Sequence, residues 1–472
     1  MGATVGCAQC HDHKYDPYTI KDHYALASFF ADLGDRGFNG NSLPTKRPPE
    51  IQIFTPEQQS KIDQLTEEIA QALPQEIIPQ WNALENNHTE FSSQLRKARN
   101  NRKDRWKKKL AELEPKYLEL TDQATIDRYQ ALVGKKKKVE NQGIWTMVSR
   151  AVKPRTMRVL PRGNWMDESG PVVLPSVPEF LGSIQTDNKR LTRLDLANWL
   201  TDTEKGIGLF NSRVLANRIW YLLFGRGLAP DLTDFGGQGT PPEHPELLDR
   251  LALSLVEKNW DLKAFIQDIL LSKTYRQSTL PPAGEFSFQV ARRLPAEFVR
   301  DNTLAISGLL VPTIGGPSVK PLQPAGYYRH LNFPQRTYEA DKGEALGRRG
   351  LYVHWQRQFL HPMLKAFDAP SREECSAERP QSNTPLAALV LLNDPTFLEA
   401  AKFFAKKITS EGGSSVEERL SYAFQHAVSR PPDTFEQKTL AALLEIKEHT
   451  TETDWTPVAR AVLNLAETNL RR

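Results

Sequence analysis

Pro74, Pro79 and Pro115 interrupt a stretch whose apolar residues otherwise follow a helical period, and this combination limits the chain more than any other feature. Ile62, Leu65, Ile69 and Leu73 recur at helical spacing, and Trp106, Leu110, Leu113, Tyr117 and Leu120 repeat the pattern. Such a seam runs down one side of a helix. Proline removes a backbone donor and clashes with the preceding turn, so one continuous rod is excluded. Residues 51–140, charged and poor in glycine, therefore predict two or three antiparallel helices folded as a coiled hairpin.

Helical spacing returns from Thr192 to the C-terminus. Leu194, Leu196, Trp199 and Leu200 open one helix, and Val214, Leu215, Ile219, Leu222 and Leu223 form another that Gly225 and Gly227 stop. Leu247–Val256 and Leu262–Leu270 supply two more, and further helices are predicted near 295–310, 385–408, 416–428, 434–447 and 456–470. Between hairpin and helical region, Arg158–Leu160, Gly163–Trp165 and Val172–Leu174 are β-like runs divided by five prolines. The prediction is a mainly α, multidomain helical protein with a coiled helical hairpin spacer and a small irregular β insert. Its segments are 1–50 (a cysteine motif, one short helix and a loop over Gly34–Pro49), 51–140 (the hairpin), 141–190 (the insert) and 191–472 (the helical domain).

The chemistry concentrates at Cys7-Ala8-Gln9-Cys10-His11, which holds two of the three cysteines. C-x-x-C-H is the attachment pattern of a c-type haem: the thiols add across the porphyrin vinyl groups and the histidine ligates iron. Cys7 and Cys10 are then the haem-binding residues and His11 the proximal ligand, while His23, Met147, Met157, Met166 and Met363 are options for the sixth. His13 adds a further nitrogen within seven residues, which also suits zinc or iron held by His11, His13 and His23 with the thiols. A simple CxxC pair is the third reading. Asp12, Asp16 and Asp22 either orient these imidazoles or cap local structure.

Other motifs carry less. The basic runs Arg96–Lys109 and Lys135–Lys138 share a helix with the apolar seam and lack aromatics placed for base stacking, so no nucleic-acid partner is expected. The net charge of +4 agrees. Gly236-Gly237-Gln238-Gly239 and Gly315-Gly316 lack the Lys-Ser/Thr of a phosphate loop, and Asp234-Phe235-Gly236 stands outside any kinase context. Glu297 and Asp301 share a helix face and read as members of an ion network rather than an acid–base pair. The polar cluster from Asp368 to Arg379 could receive an anionic or sugar-like ligand, and Cys375 within it would need His354 or His361 as base to be a nucleophile. No apolar run is long enough to span a bilayer, so no membrane span is expected.

Gly6–Pro17 with Lys21-Asp22-His23-Tyr24 resembles the end of a planctomycete cytochrome c-associated domain of unknown function. Arg193–Leu200, Asn217–Trp220 with Phe224–Leu228, Asp234–Gly236 with His244–Asp249, and Ser272–Ser278 resemble its usual C-terminal partner domain. So do Phe367–Arg372 and Asn383–Pro395. The resemblance implies a periplasmic or secreted protein, often with a separate cytochrome c domain upstream, and assigns no reaction. The family's first domain extends far upstream of the motif, so this chain is expected to be N-terminally truncated, which would account for the lack of a signal peptide before Cys7. The expectation is an exported c-type haem protein that transfers electrons to a redox partner or cytochrome domain, coupled to oxidation of an extracellular organic substrate. The alternative is a non-catalytic scaffold that binds a glycan or protein, its CxxCH loop holding structural metal or nothing.

Overall fold

The computed structural model describes residues 2–34, 50–98, 103–187, 189–277, 291–331, 336–444 and 454–471. The predicted positions 35–49, Arg99, Arg102, Ser278 and 445–447 lie outside the described residues. The protein is mainly α-helical with small two-stranded sheets, and it divides into two compact units, residues 33–153 and residues 1–32 with 154–472.

The first helix, α1 (Ile20–Ser28), belongs to the larger unit. The smaller unit holds α2 (Pro56–Gln71), α3 (Ile78–Lys97), α4 (Lys103–Ala111), α5 (Glu114–Leu120) and α6 (Gln123–Glu140). The prolines act as punctuation. Pro79 and Pro115 sit in the first turns of α3 and α5, where no amide donor is needed. Pro74 precedes the short turn Gln75–Ile77 that separates α2 from α3. Leu65, Ala72 and Leu132 pack α2 onto α6, and Trp81 of α3 meets Tyr117 of α5 edge to face, with ring centroids 4.8 Å apart. Lys109 lies over the rings of Phe91 and Trp106, so part of the basic run covers apolar surface. Strands β1 (Glu50–Ile53) and β2 (Ile144–Met147) close this unit as an antiparallel ribbon.

In the larger unit, β3 (Met157–Arg158) pairs with β4 (Val172–Val173). The run Gly163–Trp165 is not a strand. It lies in the connecting loop, where Arg162 and Gly163 take left-handed conformations (φ 52° and 70°) that no strand accommodates. The helices that follow are α7 (Arg193–Thr201), α8 (Gly208–Phe224), α9 (Pro245–Glu257), α10 (Leu262–Leu271) and α11 (Ala296–Ser307). After them come α12 (Pro362–Ala366), α13 (Pro385–Asn393), α14 (Pro395–Glu411), α15 (Val416–Val428), α16 (Thr434–Ala442), α17 (Thr456–Leu463) and α18 (Ala466–Asn469). Pro395 divides the predicted 385–408 helix, since Asp394 is extended and caps α14. Gly225 ends α8 in a left-handed conformation, as its position predicts. A last ribbon pairs β5 (Arg292–Arg293) with β6 (Leu470–Arg471).

The three largest apolar cores among the described residues of this unit join its later helices. Ala216, Trp220, Leu248 and Phe265 join α8, α9 and α10. Val299, Met363, Leu364 and Phe397 join α11 to α14. Phe404, Phe424, Trp455 and Val458 join α14, α15 and α17, with Ile306 of α11 included. Helix α11 therefore serves two cores, and between them it buries Arg300 completely. The guanidinium donates to the carbonyls of Leu346 and Arg348 and lies 3.7 Å from Asp301. Burial lowers its pKa and the Asp301 charge opposes that shift.

Removing this side chain leaves two carbonyls without their donor and Asp301 with Arg349, 3.9 Å away, as its remaining cation. Arg300→Ala is expected to cost about 3–5 kcal/mol in denaturant unfolding. Arg300→Lys should recover only part of that, since an ammonium cannot reproduce the fork.

Candidate functional site

Cys7, Ala8 and Gln9 form one turn of 3-10 helix, which places Ala8 inward and leaves Cys7 and Cys10 exposed as free thiols. Two side chains of α1 hold this turn from beneath. His23 donates from Nδ1 to the Val5 carbonyl (3.0 Å), and the Tyr24 hydroxyl donates to the Gln9 carbonyl (3.0 Å). Burial raises the Tyr24 pKa, and the nearby Cys10 adds to the shift.

His11 is exposed, and its Nδ1–H donates to the Asp12 carbonyl at 2.7 Å. That bond fixes the tautomer and leaves the Nε2 lone pair outward, the arrangement a metal-ligating imidazole needs. His13 behaves differently. Its Nδ1 accepts the Asp16 amide at 3.0 Å, and its side chain is only 5% exposed. The Asp16 carboxylate also comes within 3.5 Å of Nδ1, but a nitrogen that accepts an amide carries no proton there, so this approach is not an ion pair. Thus the structure gathers Cys7, Cys10 and His11 on one exposed turn, while His23 braces it through the Val5 carbonyl and His13 bonds within the loop that follows. Among the described residues, no three His, Cys, Asp or Glu side chains converge to hold a metal ion.

The aspartates have structural duties. Asp12 Oδ1 accepts the Ile20 amide at the start of α1 (2.8 Å), and Asp22 forms a reciprocal capping box with Thr19. Asp16 Oδ1 accepts the Gly237 amide at 2.7 Å. A side chain at Gly236 would collide with that carboxylate, its Cβ falling 2.5 Å from Oδ1, so this turn requires glycine. The Phe235 amide also donates to the Gly2 carbonyl. The Asp234–Gly237 segment, unassigned by its letters alone, is the seat of the cysteine loop. Phe29 of α1 completes the attachment in a core with Val177, Trp199 and Ile207. The sequence held no signal for these partners, Asp16 and Gly237 lying 221 residues apart.

The loop between β3 and β4 borders the thiols. A Cβ built on Gly163 would lie 2.8 Å from Cys10 Sγ, so this turn touches the sulfur and glycine is required there. Trp165 and Met166 follow, 78% and 75% exposed.

The polar residues of the C-terminal half are engaged elsewhere. Glu297 pairs with Arg379 (2.8 Å), and Asp301 accepts the Gly350 amide (2.6 Å). Asp368 pairs with Arg293 at 2.6 Å and accepts the amide and hydroxyl of Ser382. Cys375 is exposed, and no hydrogen bond joins it to His354 or His361 among the described residues. His361 is buried, its Nε2–H donating to the Leu322 carbonyl, with its pKa lowered chiefly by burial.

These features describe a mainly helical protein with a CxxCH turn seated on a helical domain. The chain belongs to the family PSD1, protein of unknown function (DUF1553), whose model matches residues 192–444. The model of PSCyt2, protein of unknown function (DUF1549), matches residues 1–35. Residues 36–191 lie outside both matches. No curated protein and no solved structure matches the chain.

Asp16→Ala should destabilise the loop's attachment by about 1.5–3 kcal/mol, the worth of a hydrogen bond to a charged group. It should raise the alkylation rate of Cys7 and Cys10 under native conditions. Asp368 supplies a pH test. Burial pushes its pKa up, but the bonds from Ser382 and Arg293 outweigh burial and hold it below the ordinary value. Its contribution is then complete above a pH of about 4, the unfolded value, and is lost as pH falls through the lower folded pKa. Asp368→Asn should flatten the acid limb of a stability–pH curve.

Proposed function

We propose that Cys7 and Cys10 attach a c-type haem, that His11 ligates its iron, and that the protein transfers electrons in an exported location. The observation that carries this reading is the His11 tautomer: Nδ1–H is held by the Asp12 carbonyl, so Nε2 is free beside two exposed, unpaired thiols. The donor set therefore fits the group. When bound, haem supplies one-electron chemistry at iron. The chain's own part begins with the thiols, each adding its sulfur to one vinyl carbon and its proton to the other. Ala8, His23 and Tyr24 keep the turn in shape from beneath, and the Asp16–Gly237 bond keeps it on the helical domain. An exposed edge at Cys7 suits exchange with a redox partner or a separate cytochrome domain. Coupling to oxidation of an extracellular organic substrate belongs to the same reading.

One set of observations favours a second reading, that of a scaffold for a glycan or protein partner whose CxxCH turn holds structural zinc or iron or nothing. Glu297, Asp301 and Asp368 are committed to Arg379, Gly350 and Arg293, which suits a load-sharing framework better than a reaction centre.

Co-expression with a cytochrome c maturation system decides between the two. The haem reading expects a Soret band and haem that stays with the chain on a denaturing gel, both lost in the Cys7→Ser, Cys10→Ser double variant. Absence of covalent haem, with stoichiometric zinc or iron by metal analysis or with no metal, would support the scaffold.

A further inference from the structure

We infer that Met166, together with His11, would ligate the iron of a haem attached at Cys7 and Cys10, through its thioether sulfur. This rests on the haem reading above and adds to it the residue that completes the coordination.

The choice follows from where the structure places each soft or imidazole donor. Met363 is fully buried in the core between α11 and α14. Met157 is partly buried against Tyr24 and Val159, at the foot of β3. Met147 belongs to the other compact unit. Of the histidines near the motif, His13 is enclosed and its Nδ1 accepts a backbone amide. His23 lies under the turn, on the side where Ala8 is buried, bonded to the Val5 carbonyl and set edge-on to Tyr24 with centroids 5.0 Å apart. Cys7, Cys10 and His11 are on the exposed side. Met166 meets that condition.

Its loop is built to stand beside the thiols. Gly170 closes the base of the loop: a Cβ there would lie 2.0 Å from the Val159 carbonyl, and Arg158 donates to the Gly170 carbonyl. Gly163 touches Cys10 Sγ, and Asn164 turns the chain by accepting the Met166 amide on its side chain at 3.1 Å. Two large apolar side chains, Trp165 and Met166, are thereby left in solvent three residues or fewer from the contact with Cys10. Exposed apolar groups of this size commonly mark a binding surface. An unbranched thioether on a flexible stem can adjust to a metal that a rigid side chain could not reach. Methionine opposite histidine raises the reduction potential of a haem, which suits an electron carrier in an oxidising compartment.

The test uses the full chain matured with haem. The parent should show the long-wavelength sulfur-to-ferric-iron charge-transfer band and exclude added imidazole. Met166→Ala should keep covalent haem and its thermal midpoint, lose the band, bind imidazole, and show a lowered reduction potential. Met147→Leu, at an exposed methionine of β2, should keep the band. Covalent haem without the band in the parent, or with the band surviving in Met166→Ala, overturns the ligand assignment and leaves the haem reading standing. A chain that matures without covalent haem overturns both.

Discussion

A guanidinium buried in the middle of α11 sets the terms for the larger unit. Arg300 is fully enclosed, and a cation out of water must find acceptors within reach of a fixed fork. It finds them in the carbonyls of Leu346 and Arg348, which draws the irregular chain of that region against the helix. Asp301 then takes the Gly350 amide, and Arg348, itself buried, donates to the carbonyls of Pro317 and Thr313 while lying over the Tyr352 ring. Long coil is held by these few ionic and carbonyl contacts instead of by helical pairing. Because α11 also feeds two apolar cores, those contacts tie the cores to each other.

Seating the cysteine turn follows a different logic. Its own hydrogen bonds are local, running from Cys10 to Cys7 and from His23 and Tyr24 back to the turn. Local bonds alone would leave a short segment free to drift. One carboxylate, Asp16, and one aromatic, Phe29, connect it to a domain that begins far along the chain. Residues 1–32 of the first family match and the whole of the second, 192–444, therefore fall in one compact unit.

How much of this the sequence revealed depends on the range of the interaction. Helices governed by local rules were legible: Gly225 as a stop, and the prolines that interrupt the seam of residues 51–140 as breaks between its helices. That Cys7, Cys10 and His11 share one exposed turn was legible too, because the three are near neighbours in the sequence. Partnerships across distance were not. Nothing in Asp16 announces Gly237, and nothing in Gly163 announces Cys10, since both depend on how the chain returns to itself. The β-like run Gly163–Trp165 misled for a related reason: left-handed residues at its entry turn it into a loop tip.

The closeness of Gly163 to Cys10 has a stereochemical consequence. With the turn against one side of Sγ, the two faces of that sulfur are no longer equivalent. Whatever bonds to Cys10 must extend from the open side, so the polypeptide narrows the directions of the new linkage before any reagent arrives.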